Sequence, residues 1–341
     1  MSSSPQAFTL KIPANRVLNA AGIVLQDEKA SVITLDKFLL ANVTYEYSDA
    51  FDISLDIKNI ENYSFLGTDL YSWTRHIVST TLEFLEVENI SINILAQFDD
   101  GFFLENMVET GLGATSCLTI CVIYSLYEIL KLNGVLTDMP IQDFRYFTRF
   151  LFTVHQYVLP EKSGCNVMSS CIGPMNFFIM GFTTLLLTDY YILLGTFGHA
   201  SSTQKILDLS SMINSDKLKS INILITEKLN MLAQNQNSNE LSDDALHERK
   251  IVIKRLYEDY LDELRNLSHN IVPDRQYEIL KNTSKFDILG CGVSLAGGED
   301  TVWCLTKDIE AVKDYWDKEF PYVITSKLLP HGTSKIFTSE N

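Results

Sequence analysis

The sequence predicts an α+β fold, because strand-like and helix-like segments follow one another without regular alternation. Short runs rich in β-branched residues open the chain, and a segment that is apolar nearly all round follows residue 116. A well-patterned amphipathic helix then precedes a return to strands in the last third of the chain. A doubly wound parallel sheet would instead alternate strand and helix, so the mixture favours α+β.

The first half of the chain carries most of the strand signals. Residues 8–12, 22–25 and 30–35 read as short strands, with a plausible turn at 27–29. Apolar spacing then predicts a helix over 72–85, and alternation predicts a strand over 90–96. The longest apolar stretch, 177–187, is broken by Gly181 and is too short to span a bilayer, so we expect buried strands or a core helix there.

Helices are predicted at three further places. The apolar segment 117–126 suits a buried helix, and another helix covers 141–158. The polar tract 234–244 is interpreted as a solvated loop, and strands are expected at 286–289 and 301–305. The amphipathic helix between them has apolar residues at spacings of three and four, namely Ile253, Leu256, Tyr260, Leu264 and Leu267.

Charge and cysteine usage limit the classes of partner. With 27 basic and 43 acidic residues among 341, the net charge is −16, so neither nucleic acid nor an anionic membrane is an expected partner. The six cysteines form no C-x-x-C pair and the N-terminus has no signal-peptide pattern, which favours reduced thiols in the cytoplasm. The six histidines are dispersed, which argues against a metal site made of protein ligands alone.

A glycine-containing turn at 109–116 is the strongest candidate for a binding site. Glycines let the backbone approach a ligand closely, and a following helix N-terminus directs free N–H groups at an anion. Thr115 and Ser116 add hydroxyls that could reach phosphate or a metal ion. Taken alone, the same letters also suit a tight turn with a Ser or Thr cap, and no lysine follows as in the P-loop. Further glycine-containing turns lie at 162–167 and 292–300.

Together these segments resemble the GHMP kinases, which include galactokinase, homoserine kinase, mevalonate kinase and phosphomevalonate kinase. The family's opening motif is similar to residues 12–15 followed by 20–25, and its phosphate loop is similar to 109–117. Its later motifs are similar to 154–155 with 162–167, and to 292–300. A stretch typical of eukaryotic phosphomevalonate kinases is matched at Ile271, Pro273, Gln276, Leu280 and Thr283.

The resemblance implies a two-lobed GHMP kinase fold. A ribosomal protein S5-like N-terminal lobe would span 1–190, and a ferredoxin-like C-terminal lobe would span 191–341. It further implies that ATP lies over the phosphate loop, with Mg²⁺ near Ser116, and that a phosphorylated small molecule binds between the lobes. The implied cofactor-binding residues are Gly111, Leu112, Gly113, Ala114, Thr115 and Ser116, and the implied substrate-binding residues are Ser163, Gly164, Gly297 and Gly298.

The chain departs from the family at the positions that carry out chemistry. Asn15 stands where the family has a lysine, and Asn166 stands where it has an aspartate. An amide cannot take a proton, so Asn166 cannot act as a general base, although Arg16 could partly replace the missing positive charge. Glu109 replaces another lysine and Leu295 a glycine.

Two functions therefore remain open from the sequence. One is a divergent phosphomevalonate kinase of isoprenoid synthesis, in which the fold tolerates transfer without a base, or a carboxylate such as Asp27, Asp189 or Asp300 supplies it. The other is a pseudokinase that keeps the scaffold and binds a protein partner. Trp73, Trp303 and Trp316 are expected in the core or an interface, and His155 is expected to be a packed helix residue.

Overall fold

The computed structural model of the protein describes residues 6–19, 29–47, 52–58, 64–65, 68–69, 76–77, 79–81, 83, 90–105, 108–132, 151–157, 164–178, 181–198, 215–238, 242–293 and 301–336. The strands in these ranges are β1 (Gln6–Asn19), β2 (Ala30–Tyr47), β3 (Asp52–Ile57), β4 (Ser64–Phe65), β5 (Thr68–Asp69), β6 (Ile90–Phe98), β7 (Met175–Phe178), β8 (Gly181–Thr184), β9 (Tyr191–Thr196), β10 (Ile288–Val293), β11 (Val302–Thr306), β12 (Tyr322–Leu329) and β13 (Ser334–Ile336). The helices are α1 (Ala114–Leu132), α2 (Cys165–Ile172), α3 (Asp216–Ser238), α4 (Asp243–Leu267), α5 (Asp274–Thr283) and α6 (Ile309–Glu319).

One large mixed sheet runs through the molecule. Within the described residues it has eleven strands, and its main path is β10-β11-β9-β12-β2-β1-β13. β6 and β7 also pair with β2, and they are extended by β3 and β8. The described pairs in this sheet are antiparallel except for β3 with β6, which run parallel. The predicted α+β class is confirmed.

The ladder between β1 and β2 is longer than the sequence predicts. Strands were expected over 8–12 and 30–35, but pairing continues along nearly the whole length of both strands. The register shifts between Pro13 and Ala14, which is where a residue without an N–H interrupts a ladder. Asn15 and Arg16 therefore lie inside a paired strand, and that strand fixes their backbone.

Helices α1 and α2 pack against β1 and β2 and against each other. Residues 117–123 of α1 are fully buried, which confirms the buried helix predicted from its uniformly apolar sequence. The apolar stretch at 177–187 contributes to β7 and β8, so strands rather than a helix occupy it. No described helix is both long and apolar enough to cross a membrane.

The polar tract at 234–244 is not the loop that its composition predicts. Helix α3 continues to Ser238 and α4 begins at Asp243, so the connection between them is much shorter. The tract contains no glycine or proline that would stop a helix, and glutamine is a good helix former. Helix α4 begins where Ser242 accepts a hydrogen bond of 3.3 Å from the backbone N–H of Ala245.

Aromatic residues fill the core of the C-terminal half. Trp303 and Trp316 are fully buried, as predicted, and the ring of Tyr257 meets that of Trp303 edge to face at 5.0 Å. The indole N–H of Trp316 donates a 2.8 Å hydrogen bond to the hydroxyl of Thr283. Thr283 ends the stretch at 271–283 that resembles phosphomevalonate kinases, so part of that stretch serves the core. In α4, Ile253, Tyr260 and Leu264 are buried, whereas Leu267 is exposed.

The sheet is continuous across residue 190. β12 pairs with β2, and β13 pairs with β1, so C-terminal strands complete the sheet that N-terminal strands begin. The division into lobes at 1–190 and 191–341 stays a prediction.

Of the helices predicted over 72–85 and 141–158, the described residues 76–77, 79–81, 83 and 151–157 are helical. The predicted strand at 22–25 and Trp73 lie outside the described residues.

Candidate functional site

The turn that leads into α1 has a backbone that only glycine adopts readily. Gly111 and Gly113 have φ of +78° and +74°, in the left-handed region. A Cβ on Gly111 would clash with Nη1 of Arg16, and a Cβ on Gly113 would lie 2.6 Å from Nδ2 of Asn15. Both the backbone and the close approach of β1 therefore require glycine at these positions.

The carbonyl oxygens of this turn are held from one side. Thr110 O accepts from the hydroxyl of Thr301 at 2.8 Å, and Gly111 O accepts from Nη1 of Arg16 at 2.9 Å. Leu112 O accepts from the backbone N–H of Asn15 at 3.2 Å. These three bonds come from β1 and from the residue that precedes β11.

The held carbonyls determine where the amide groups point. In a trans peptide the C=O of one residue and the N–H of the next point in opposite directions, so the N–H groups of residues 111–113 face away from β1. The N–H groups of residues 114–116 belong to the first turn of α1, where an α-helix has no internal acceptor. Within the described residues, the N–H groups of 111–116 donate to no protein acceptor.

Residues 111–116 therefore have the geometry of an anion-binding site, and we call them the cradle. Successive N–H groups of left-handed and helical residues make a concave set of donors, and the positive end of the α1 dipole adds to their field. Gly111, Gly113 and Thr115 are partly exposed, so a ligand can reach this surface. The hydroxyl of Ser116 lies in the first turn of the same helix and is 7% exposed as a residue.

Asn15 lies behind the cradle with its amide fixed. It is 1% exposed, and its Nδ2 donates a 2.7 Å hydrogen bond to Oγ of Ser170 on α2. Ser170 in turn donates to Pro13 O, also at 2.7 Å. Oδ1 of Asn15 is buried and accepts no hydrogen bond from the described residues. The amide thus contributes an oriented, uncharged acceptor in the place where the family resemblance implies a lysine.

Asn166 lies in the first turn of α2, two residues after Gly164, which is the N-cap of this helix. Gly164 has φ of +73°, and a Cβ there would approach Nδ1 of the buried His155 at 3.1 Å. Asn166 precedes Ser170 by four residues, so the two lie on the same face of α2. Because Ser170 contacts Asn15, the structure brings the faces that carry Asn15 and Asn166 together.

Arg16 connects three segments of the chain. Arg16 is 5% exposed. Its Nη1 donates to Gly111 O at 2.9 Å, and its Nη2 donates to Thr301 O at 2.8 Å. One arginine on β1 therefore holds both the glycine turn and the start of β11.

Comparisons with known proteins show similarity to kinases of small molecules. No family model matches the chain. The phosphomevalonate kinase of Saccharolobus solfataricus is 25% identical over 253 residues, which is 67% of this chain and 71% of that protein. The homoserine kinase structure from Cytophaga hutchinsonii matches 98% of this chain and 99% of its own, with a TM-score of 0.65 and 14% identity. The structure of Streptococcus pneumoniae phosphomevalonate kinase with phosphomevalonate and AMPPNP matches 94% and 99%, with a TM-score of 0.63 and 14% identity.

The chain has the fold of the GHMP kinases. The two-lobed α+β architecture of these kinases, predicted from the motifs, is confirmed by structures that align over almost the entire chain. The cradle at 111–116 coincides with the segment that the motifs identify as the superfamily's phosphate loop.

Several residues predicted for the GHMP kinase site lie outside the described residues. These are Ser163, Gly297 and Gly298, together with Leu295 and the alternative carboxylates Asp27 and Asp300. Asp189, the remaining alternative carboxylate, has a 67% exposed side chain that pairs with Lys307 at 3.0 Å on the surface. In the described part of the chain, no three acidic, histidine or cysteine side chains are grouped to hold a metal ion.

Glu109 lies close enough to α1 to act on its buried residues. Burial raises the pKa of the Cys117 thiol well above its usual range, a hydrogen bond with Ser170 opposes the rise, and the charges of Cys121 and Glu109 add to it. The backbone of Glu109 is held by a bridge to Phe103. The turn therefore begins with a carboxylate where the superfamily motif has a lysine.

Two residues that support the candidate site were not predicted from the sequence, Ser170 and Thr301. Ser170 orients Asn15, and Thr301 binds Thr110 O while its own carbonyl accepts from Arg16. Ser170 could have been suspected from its helical spacing of four from Asn166. Thr301 directly follows the last glycine motif, but no local pattern indicates its partner.

Proposed function

We propose that this GHMP kinase-type chain binds ATP with Mg²⁺ at the cradle and transfers the γ-phosphoryl group to a phosphorylated acceptor related to 5-phosphomevalonate. The observation that carries this proposal is the orientation of the turn, in which the carbonyls of residues 110–112 are held from the side of β1 while the N–H groups of residues 111–113 face away from it. A row of such donors at a helix N-terminus suits a polyphosphate better than it suits an uncharged ligand.

The donor set also fits a metal ion that arrives with the nucleotide. Mg²⁺ commonly takes several of its ligands from substrate phosphates and water, and few from the protein. Ser116 is the hydroxyl at the cradle that would hold it, and the described residues include no acidic cluster to compete. The ion supplies neutralisation of the phosphate charge when bound.

The missing base favours a phosphate acceptor over an alcohol. An alcohol must lose a proton as it attacks, and the amide of Asn166 cannot accept one. A phosphate monoester has a second pKa of about 6, so at pH 7 most of it carries an oxygen that needs no deprotonation. Phosphoryl transfer then depends on positioning and electrostatics, which the cradle can still provide. The likeness to a phosphomevalonate kinase supports the same class of acceptor.

A second candidate function is a nucleotide-binding pseudokinase that acts through a protein partner. It is favoured by Asn15, whose amide is engaged with Ser170 and brings no charge to the transferring group. Glu109 favours it further, because its carboxylate opposes the binding of phosphates near α1.

Turnover with matched acceptors separates the two candidates. The purified chain is incubated with ATP, Mg²⁺ and 5-phosphomevalonate, mevalonate or homoserine, and ADP release is compared with an acceptor-free control. Release that depends on 5-phosphomevalonate supports the kinase. Nucleotide binding without turnover on any acceptor supports the pseudokinase, and the absence of nucleotide binding contradicts both.

A further inference from the structure

We propose that Arg16 is a positioning residue for nucleotide binding, acting from behind the cradle without touching the phosphates. This inference rests on the proposed nucleotide site and assigns a role to a residue for which the resemblance offers only a substitute for a missing lysine. Arg16 acts through the orientation of the peptides, the charge of its guanidinium and a link to β11.

The first effect is orientation. Arg16 Nη1 holds Gly111 O at 2.9 Å, and the peptide that carries this oxygen also carries the N–H of Leu112. Fixing the oxygen fixes the direction of that N–H on the opposite side of the peptide. Without the guanidinium, the left-handed Gly111 would be free to rotate this peptide, because glycine tolerates many backbone angles. Arg16 therefore holds a donor in place before any ligand arrives.

The second effect is charge. Arg16 is only 5% exposed, so water screens the charge of its guanidinium less than it screens the charge of a surface arginine. A hydrogen bond from a charged donor is stronger than one between neutral groups, and it polarises the peptide that accepts it. The positive charge of Arg16 lies on the carbonyl side of the cradle, whereas the negative charge of Glu109 acts on Cys117 in α1.

The third effect is the link between segments. Arg16 Nη2 donates to Thr301 O at 2.8 Å, and the hydroxyl of Thr301 donates to Thr110 O at the same distance. The planar fork of an arginine can reach two carbonyls at once, whereas a lysine presents a single point of donation. The start of β11 and the glycine turn are thus held as one unit by Arg16 and Thr301.

The test compares nucleotide affinity in folded variants. AMPPNP with Mg²⁺ is titrated into the full chain by calorimetry, at a temperature where each variant is shown to be folded by circular dichroism. We expect Arg16→Met to weaken the Kd by about tenfold or more, and Arg16→Lys to recover part of the loss because it restores charge but not the fork. Thr301→Val removes one bond without changing charge, so it should weaken binding by less than Arg16→Met does.

Arg265→Met is the matched control. Arg265 also donates through Nη1 to a backbone carbonyl, that of Val272, and also pairs with Asp274, but it lies on α4 away from the cradle. This variant should lose stability and keep the wild-type Kd, which separates positioning from general stabilisation.

If folded Arg16→Met and Arg16→Lys bind AMPPNP with the wild-type Kd, the proposed role of Arg16 is wrong, whereas the proposed nucleotide site is not contradicted. If the wild type itself fails to bind, the proposed function is wrong and the role of Arg16 falls with it.

If Arg16→Met does not fold, the Kd values of Arg16→Lys and Thr301→Val test the proposal. Wild-type affinity in both would overturn the proposal, because each removes part of the support of the carbonyls at 110–111.

Discussion

The amide of Asn15 donates a 2.7 Å hydrogen bond to the hydroxyl of Ser170, which donates in turn to the carbonyl oxygen of Pro13 at the same distance. This relay joins β1 to α2 in the interior, between positions that are 155 residues apart in the chain. It fixes the side chain at the position where the superfamily motif has a lysine, and it makes α2 a support for the site.

The relay predicts that Ser170→Ala destabilises the protein. The substitution leaves the buried Nδ2 of Asn15 without an acceptor, and an unsatisfied buried donor costs about 1 to 3 kcal/mol. The measurement is the free energy of unfolding from urea denaturation. Ser169→Ala is the matched control, because Oγ of Ser169 is buried and has no hydrogen-bond partner among the described residues. Equal losses in the two variants would contradict the relay.

Gly113→Ala should weaken nucleotide binding. Its Cβ would meet Nδ2 of Asn15 at 2.6 Å on a backbone with φ of +74°, so the turn has to move. We expect the Kd for AMPPNP with Mg²⁺ to rise by at least about tenfold, as for the loss of a well-formed hydrogen bond to a charged group. Gly198→Ala imposes similar backbone strain, with φ of +83°, outside the cradle. That variant should lose stability and retain its affinity, and the opposite pattern would argue against the cradle.

The parts of this site that the sequence could predict are those with a local cause. Gly111 and Gly113 stand out because left-handed backbone favours glycine, and α1 stands out because its residues are apolar on every side. The bond from Thr301 to Thr110 joins residues 191 positions apart, and nothing near either residue encodes it. Long-range partners of this kind depend on the completed sheet.

Tertiary contacts also explain why two predicted element boundaries were wrong. β1 continues past Pro13 because a long ladder with β2 compensates for one missing N–H. The tract at 234–238 is helical because α3 and α4 pack on each other, and tertiary packing overrides a composition that is typical of loops. In both cases the local sequence contains no information about the distant segment that pairs with it or packs on it.

Glu109→Gln should strengthen nucleotide binding. The carboxylate lies near the first turn of α1, where its charge adds to the raised pKa of Cys117, and it repels phosphates at the cradle. We expect a Kd several-fold lower than in the wild type at low ionic strength, and a smaller difference at high salt because ions screen the repulsion. Glu105→Gln provides the control, since Glu105 is exposed on the same loop. Unchanged affinity in Glu109→Gln at both salt concentrations would show that this charge does not face the ligand.

Asn166→Asp should restore a base, and its effect should depend on the acceptor. The two side chains have nearly the same shape, and a carboxylate in the first turn of α2 is favoured by the helix dipole. A positioned general base contributes about 10² to 10⁴ in rate where a proton must be removed. Turnover with mevalonate, an alcohol acceptor, should therefore rise by about a hundredfold or more, whereas turnover with 5-phosphomevalonate should change little because its phosphate is already deprotonated. Steady-state rates of ADP release with each acceptor measure the contrast, and Asn166→Ala tests whether any change at this position has the same effect. An equal gain on both acceptors would mean that the wild-type reaction is also limited by a missing base, and the argument for a phosphate acceptor would then rest on the sequence likeness alone.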